Sequence, residues 1–384
     1  MPQTLNAGMV SYNGLVNLFG TTGSAGTSEV EIGLMTVPSS NNWLGRISDS
    51  PFSTSGPTGA WATEWFSVWN YLQYGGSCVI GATGSTGAYY NSNGVLGLTN
   101  TILHNKNLVQ LDLVFEGGNT FSAGAASSVA NTRQDCIAVI GNYRDIASLN
   151  MSSAYSNFTT DFGITSGSKY QVFVAGRKKF TYVNGGIASV YEIHLGPDIA
   201  GCFSRTAQTE NIWITPAGMT RGRILNVLYL TQKFIDSDIT YFSAGGVNAI
   251  NSIPGEGTFL LSNITSYPYT AATSASSKIN TMMTTLYIKK QMINVLKSFL
   301  YQSNNASLRQ QVINSTTPIM DTLKASNGVT DYRIVCDETN NTDVIVNSGK
   351  LVLDVYCTFI YPAVTITLRI LASDTGEVVD TQTV

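Results

Sequence analysis

The sequence is short of charged side chains. Asp, Glu, Lys and Arg make up 12% of its 384 residues, about half of the usual share of roughly 25%. The two signs nearly cancel to a net charge of −3, which argues against a phosphate-neutralising nucleic-acid surface. Because monomers usually stay in solution through surface charge, we interpret this neutral surface as one covered by copies of the same chain. A β-rich protein with polar, uncharged loops is the alternative.

Long hydrophobic runs are also missing. No apolar stretch reaches the roughly 18–20 residues that cross a bilayer. The first ten residues, MPQTLNAGMV, lack the charged and apolar regions of a signal peptide, so we expect neither membrane insertion nor export. The five cysteines are odd in number and widely spaced, which favours reduced core residues over disulfide pairs.

Motifs for catalysis, metal binding or nucleotide binding are absent from the sequence. The chain has two histidines, His104 and His194, and no H-E-x-x-H, C-x-x-C or G-x-S-x-G pattern. The glycine-rich stretch Gly81 to Gly94 lacks the Lys-Ser/Thr ending of a phosphate-binding loop. His194 lies in an apolar run, which favours a packed strand histidine over a catalytic one. We predict that the protein is not an enzyme and needs no cofactor or metal.

The sequence does contain a mixture of helical and strand patterns. Five apolar residues between Trp61 and Leu72 recur at helical spacing, and an apolar strand follows at Ser77. Further buried strands are predicted at 109–115, 136–141 and 170–176. A polar Ser/Thr/Tyr segment over 262–277 then precedes a long helix predicted over 278–301. The pattern predicts a mixed α/β (α+β) fold: a layered α/β core domain with a smaller C-terminal α+β domain of two helices and a small sheet.

The stretch from Tyr332 to Ile370 predicts that C-terminal sheet. It contains three runs of strand character, and in two of them apolar and polar residues alternate as in half-buried strands. Pro362 lies between the last two runs, where its missing N–H interrupts no ladder. The residues predicted to line the C-terminal sheet are Leu351, Leu353, Val355, Ile366, Leu368 and Ile370.

Two stretches resemble the contractile phage tail sheath protein family. GPDIAGCFSRTAQTENIWITPAG, from Gly196 to Gly218, is similar to a family pattern that ends in G-x-W-x-x-P-A-G. CDETNN, from Cys336, and YPAVTITLRI, from Tyr361, stand where the family usually has C-D-x-T-x-N and R-P-A-E-F-I-x-x-R. Tyr361 replaces the family's Arg. The resemblance covers roughly residues 60–370, and the length is that of family members without large outer insertions.

The resemblance implies a structural role. Sheath subunits assemble as stacked, six-membered rings into a helical sleeve, whose contraction drives the tail tube through the host cell envelope. The implied partners are other copies of the chain, the tail tube protein, and the baseplate and tail terminator or neck proteins. The implied location is the virion tail, after assembly in the host cytoplasm. A non-contractile shell or capsid-type protein and, less favoured, an α/β hydrolase are the alternative functions.

Four parts are predicted along the chain: an N-terminal arm over 1–27, a core domain over 28–270, a C-terminal domain over 271–370 and a C-terminal arm over 371–384. The resemblance implies that the arms add strands to a neighbouring subunit's sheet. The residues predicted for this pairing are Leu15, Val16, Leu18, Leu371, Val378 and Val379. The residues predicted to face the tube, on the helix over 278–301, are Lys289, Lys290 and Lys297.

Overall fold

The computed structural model divides into two compact units, Met1–Ser303 and Asn304–Val384. The residues it describes are 2–11, 32–35, 62–75, 77–82, 102–104, 106, 110–118, 120–141, 167–184, 187–267, 275–362, 367–371 and 378–383.

The first unit contains both strands and helices. Its described strands are β1 (Asn6–Ser11), β2 (Ile32–Met35), β3 (Ser77–Ala82), β4 (Leu113–Glu116), β5 (Ile137–Gly141), β6 (Gln171–Ala175), β7 (Arg177–Asn184), β8 (Ile187–His194), β9 (Tyr229–Leu230), β10 (Val247–Ile253) and β11 (Gly257–Leu260). Its described helices are α1 (Ala62–Leu72), α2 (Thr120–Arg133), α3 (Gly196–Thr209), α4 (Asp236–Ala244) and α5 (Ile279–Leu296).

Eight of these strands form one sheet, in the order β11-β10-β6-β5-β4-β1-β3-β2. The six inner strands run parallel, and β2 and β11 pair antiparallel at the two ends. Every residue of β4, β5 and β6 is buried, as expected for parallel strands covered on both faces. The predicted mixed α/β class is confirmed.

Helices cover both faces of this sheet. Side chains alternate between the faces of a strand, so Val114 packs with Ala126 and Val129 of α2, whereas Phe115 points to the other side. There the Phe115 ring lies 5.0 Å from the ring of Tyr71 in α1. The helices α1 and α3 pack closely because Gly201 has no side chain: a Cβ at that position would lie 2.4 Å from the Tyr74 ring.

The first strand corrects part of the predicted N-terminal arm. Residues 1–27 were expected to extend to a neighbouring subunit, but Asn6–Ser11 lies inside the main sheet, in parallel pairing with both β3 and β4. Ala7 and Met9 are fully buried there. The strand is difficult to predict because glycine and asparagine are depleted in strands. Leu15, Val16 and Leu18 lie outside the described residues.

A second, antiparallel sheet of the first unit has the order β8-β7-β9. Its strand β7 begins with the strongest basic cluster of the sequence, Arg177 to Lys179. Arg177 and Lys179 pair with Glu192 on β8, at 2.8 and 3.9 Å, while Lys178 is fully buried. This cluster is therefore held within the chain instead of forming an open basic surface.

The second unit is the smaller of the two. It contains α6 (Ala306–Ala325), β12 (Val329–Val335), α7 (Asp343–Asn347), β13 (Asp354–Phe359), β14 (Thr367–Leu371) and β15 (Val378–Thr383). The compact units divide after Ser303, 33 residues beyond the predicted boundary after residue 270, because α5 is held by the first unit.

Candidate functional site

The residues predicted for one C-terminal sheet are distributed differently in the structure. Among the described strands, β12 pairs antiparallel with β13, and β14 pairs antiparallel with β15, as two separate two-stranded sheets. Val355 lies in β13 opposite Ile334, whereas Leu351 and Leu353 precede that strand. Leu368 and Ile370 lie in β14 and Ile366 is outside the described residues.

One face of the β12–β13 sheet is covered by α6 and the other is open. On the covered face the Tyr332 hydroxyl donates to Asp321 of α6, and Lys324 Nζ lies 6.0 Å from the centre of the Tyr332 ring. On the open face Tyr356 stands opposite Arg333 and is 59% exposed. An isolated two-stranded sheet is only marginally stable in water, so a further strand paired at one of its edges would stabilise it.

The CDETNN motif connects the two strands of this sheet. Asn340 Nδ2 donates to the Val335 carbonyl at the end of β12 and to the Asp354 carboxylate at the start of β13, at 2.9 and 3.0 Å. Asn341 is buried and exchanges two hydrogen bonds with the backbone of Val352, at 2.7 and 2.9 Å. The motif thus acts as a clamp that fixes where β13 begins.

The C-terminal segment forms a hairpin within the single chain. Thr367 pairs with Thr383 and Ile370 with Asp380, after which the register shifts so that Leu371 pairs with Val378. Val379 is the extra residue of this β-bulge. In the single chain, Leu371 and Val378 therefore pair with each other. Their pairing with a neighbouring subunit stays a prediction.

Two of the three lysines predicted to face the tube are bound by the first unit itself. Lys290 Nζ lies 2.5 Å from Asp112 Oδ1 and also donates to the Leu111 carbonyl. Lys289 Nζ donates to the Gln134 carbonyl at 2.8 Å. These bonds fasten α5 to the segments that lead into β4 and β5. Lys297 lies beyond α5 and is exposed.

The structure also brings together three polar residues that the sequence leaves far apart. Ser67 of α1, Glu116 at the end of β4 and His194 at the end of β8 meet on the α1 side of the main sheet. His194 Nδ1 lies 2.6 Å from Glu116 Oε1, although the two atoms do not meet with hydrogen-bond geometry. His194 Nε2 lies 3.2 Å from Ser67 Oγ. The order of contacts is that of a nucleophile, a base and an orienting carboxylate.

The surroundings of the trio indicate packing and not catalysis. Ser67 is fully buried, and His194 and Glu116 are each 1% exposed, so a substrate has no access to the hydroxyl. Ser67 Oγ donates to the Thr63 carbonyl of its own helix at 2.8 Å. Gly141 N donates to Glu116 Oε1 at 3.2 Å, and a Cβ at Gly141 would lie 2.6 Å from His194 Nδ1. The trio joins two strand ends to α1.

The described residues give little support to membrane insertion, metal binding or thiol chemistry. No described helix is long and apolar enough to cross a membrane. No group of three His, Cys, Asp or Glu side chains in the described part of the chain could hold a metal ion. Burial raises the pKa of the Cys136 and Cys202 thiols to about 12, so these thiols stay protonated and unreactive near neutral pH.

Comparison with solved structures defines the class of fold. The chain matches the PVC sheath complex of an extracellular contractile injection system, in the contracted state, with a TM-score of 0.70 and 12% identity. That match covers 98% of this chain and 93% of the other. The fold is therefore that of a contractile-sheath subunit.

Comparison of sequences gives the family likeness. Residues 271–373 match the family model described as Phage tail sheath C-terminal domain. The tail sheath protein of Enterobacteria phage T4 is 28% identical over 262 residues, which cover 65% of this chain and 38% of that protein. The tail sheath protein of Vibrio phage KVP40 is 26% identical over 252 residues, which cover 62% and 37%. The predicted resemblance to phage tail sheath proteins is confirmed.

Three further facts follow from these comparisons. The chain spans less than two fifths of the length of the curated relatives it matches. Both relatives are named as tail sheath proteins and not as enzymes, in agreement with the prediction that this chain is not an enzyme. The family match begins at residue 271, the start predicted for the C-terminal domain, although the compact units divide later.

Proposed function

We propose that the chain is a structural subunit of a contractile tail sheath. Copies polymerise helically around a tail tube, and contraction of the sleeve drives the tube through the host envelope. The observation that carries the proposal is the match of residues 271–373 to the tail sheath C-terminal domain, supported by the likeness to a contracted sheath over 98% of the chain. The working location is the virion tail, and the subunit contacts copies of itself, the tube, and the baseplate and neck proteins.

The C-terminal unit supplies the contact between subunits in this proposal. Its two described sheets have two strands each, and a third strand would make either sheet considerably more stable. The hairpin β14–β15 closes on itself in one chain, with a bulge at Val379. In the polymer, β15 leaves β14 and adds to the sheet of the next subunit. Such pairing uses backbone hydrogen bonds, which tolerate changes of side chain.

Electron microscopy of the purified chain tests the proposal. We expect tubes, because an open head-to-tail contact generates a helix instead of a closed shell. Deletion of residues 371–384 is expected to leave folded subunits that no longer polymerise. Closed shells from the intact chain would support the capsid-type alternative, and normal tubes from the shortened chain would contradict the strand-exchange contact.

A matched pair of substitutions in β15 separates backbone pairing from side-chain contacts. Thr381, opposite Arg369 in the single chain, can be changed to Pro, which removes a backbone N–H, or to Val, which keeps it and favours a strand. We expect Thr381→Pro to prevent tube formation and Thr381→Val to permit it. Equal assembly of the two variants would show that β15 does not pair through its backbone.

We infer that the contact with the tail tube involves the end of α5. Lys297 is exposed and follows two exposed residues of the last turn, Ile293 and Asn294, whereas Lys289 and Lys290 are engaged within the chain. Reversal of all three lysine charges would therefore disturb the fold as well as the surface. Lys297 alone offers a clean test of the tube-facing role.

Co-sedimentation of assembled sleeves with tail tubes measures this contact. We expect Lys297→Glu to weaken tube binding several-fold, because a positive charge at the contact becomes negative. Lys350→Glu, an exposed lysine of the second unit, is the control for the change in net charge. Unaltered tube binding by Lys297→Glu would exclude Lys297 from the interface.

A further inference from the structure

A lysine and an aspartate are buried together between β7 and α3. Lys178 Nζ lies 2.7 Å from Asp198 Oδ1, and both side chains are fully inaccessible to solvent. The Tyr74 hydroxyl donates to the same oxygen at 2.9 Å, and the backbone N–H of Leu225 donates to that hydroxyl at 2.8 Å. Lys178 Nζ also donates to the Leu225 carbonyl at 2.9 Å. These four residues form one connected network.

The second oxygen of Asp198 does not share in this network. Oδ2 is buried, and no donor from the described residues reaches it. A buried carboxylate normally has both oxygens satisfied, because an unpaired buried polar atom is costly. An aromatic ring also borders the pair: the centre of the Phe180 ring lies 5.6 Å from Lys178 Nζ. As an ion pair, this arrangement is incomplete.

The state of the lysine favours nucleophilic chemistry. Burial lowers the pKa of the Lys178 ammonium below its ordinary value, and the attraction of Asp198 opposes this effect without cancelling it. In a low-dielectric environment, transfer of one proton from the ammonium to the carboxylate replaces two charges by a neutral amine and a neutral acid. A desolvated neutral amine is the nucleophilic form of lysine.

We propose that Lys178 and Asp198 are joined by an intramolecular isopeptide bond. The Nζ amine attacks the Asp198 Cγ carbon, and negative charge develops on Oδ1. The Tyr74 hydroxyl already donates to that oxygen, as an oxyanion-hole donor does. The C–N bond then forms as the bond from Cγ to Oδ2 breaks. Oδ2 leaves as water with two protons: one that the Lys178 ammonium passes to the carboxylate by way of Oδ1, its partner at 2.7 Å, and a second from the nitrogen, so the reaction needs no further reactant.

The product removes the defect of the unreacted pair. The unpartnered Oδ2 is the atom that leaves. The amide oxygen keeps the hydrogen bond from Tyr74, and the remaining N–H keeps the hydrogen bond to the Leu225 carbonyl. Because Lys178 and Asp198 are 20 positions apart, the bond would close a loop from β7 through β8 to α3. As with a disulfide, closure of a loop stabilises the fold chiefly by restricting the unfolded chain.

Intact-mass spectrometry of the denatured, full-length chain tests the bond directly. We expect a mass about 18 Da below that of the sequence, because one water is lost. Tandem mass spectrometry of a protease digest is expected to find one branched peptide that joins Lys178 to Asp198. A mass equal to that of the sequence, with separate Lys178 and Asp198 peptides, would overturn the proposal.

Two conservative variants localise the mass change. Lys178→Arg keeps the positive charge but cannot supply a neutral amine, since arginine stays protonated in proteins, so its mass is expected to equal that of its sequence. Lys179→Arg, at the next position on the partly exposed face of β7, is expected to retain the loss of water. A loss of water that persists in Lys178→Arg would place the dehydration elsewhere and contradict the bond.

Discussion

The two units of this protein hold their strands in opposite ways. The main sheet of the first unit has eight strands, and buried polar side chains connect strand ends of this unit to a helix, as Glu116 and His194 do beside Ser67 of α1. The second unit has two described sheets of two strands each. Most described strands of the first unit therefore pair on both sides, whereas each described strand of the second unit pairs with one other strand.

This difference corresponds to two separate requirements that a polymer subunit has to meet. A body that must transmit force needs a core that does not rearrange, which a wide, fully buried parallel sheet provides. A connector that must keep contact while bodies move needs pairing that depends on the backbone and can be exchanged. The five tryptophans all lie within Met1–Ser303, so their fluorescence reports on the first unit alone and the two units can be probed separately.

The largest effect is expected from breaking the buried contacts of the first unit. Glu116→Ala removes the carboxylate beside His194 and the acceptor for the backbone N–H groups of Gly118 and Gly141. Leaving a buried donor without its acceptor costs about 1–3 kcal/mol, and Glu116 accepts from two backbone N–H groups. We therefore expect the tryptophan-detected urea midpoint to fall markedly, with the unfolding free energy reduced by that order.

An exposed glutamate provides the control for this substitution. Glu256 lies in the turn between β10 and β11 and is exposed, so Glu256→Ala is expected to leave the midpoint nearly unchanged. If Glu116→Ala were equally harmless, the trio would not be part of what holds the first unit together, and the contrast between the two units would lose its main support.

Much of the first unit can be predicted from the sequence because its signals are local. The apolar runs at 109–115, 136–141 and 170–176 predict β4, β5 and β6, and the spacing of the tryptophans predicts α1. The strand β1 could not be predicted, because NAGMVS has little strand character of its own. It is stabilised by neighbours that are distant in sequence. Tertiary context decides such segments.

The contacts between distant residues could not be predicted. Ser67 and His194 are 127 positions apart, and Lys290 and Asp112 are 178 apart. Polar residues at such separations carry no shared pattern in a single sequence. The sequence does indicate Asn340 and Asn341, through the CDETNN motif, but not that their side chains clamp the start of β13. That role depends on the path of the backbone through Val352.

A smaller effect, confined to the second unit, is expected when the Asn341 side chain that clamps the start of β13 is removed. Asn341→Ala leaves the backbone N–H and carbonyl of Val352 without the side chain that now binds both, a loss of about 1–3 kcal/mol. Hydrogen exchange of peptides from β12 and β13 is expected to accelerate about tenfold or more, while the tryptophan-detected midpoint stays unchanged. Asn347→Ala, an exposed residue at the end of α7, should alter neither quantity. If Asn341→Ala also lowered the tryptophan midpoint, the two units would unfold together and could not serve as a separate body and connector.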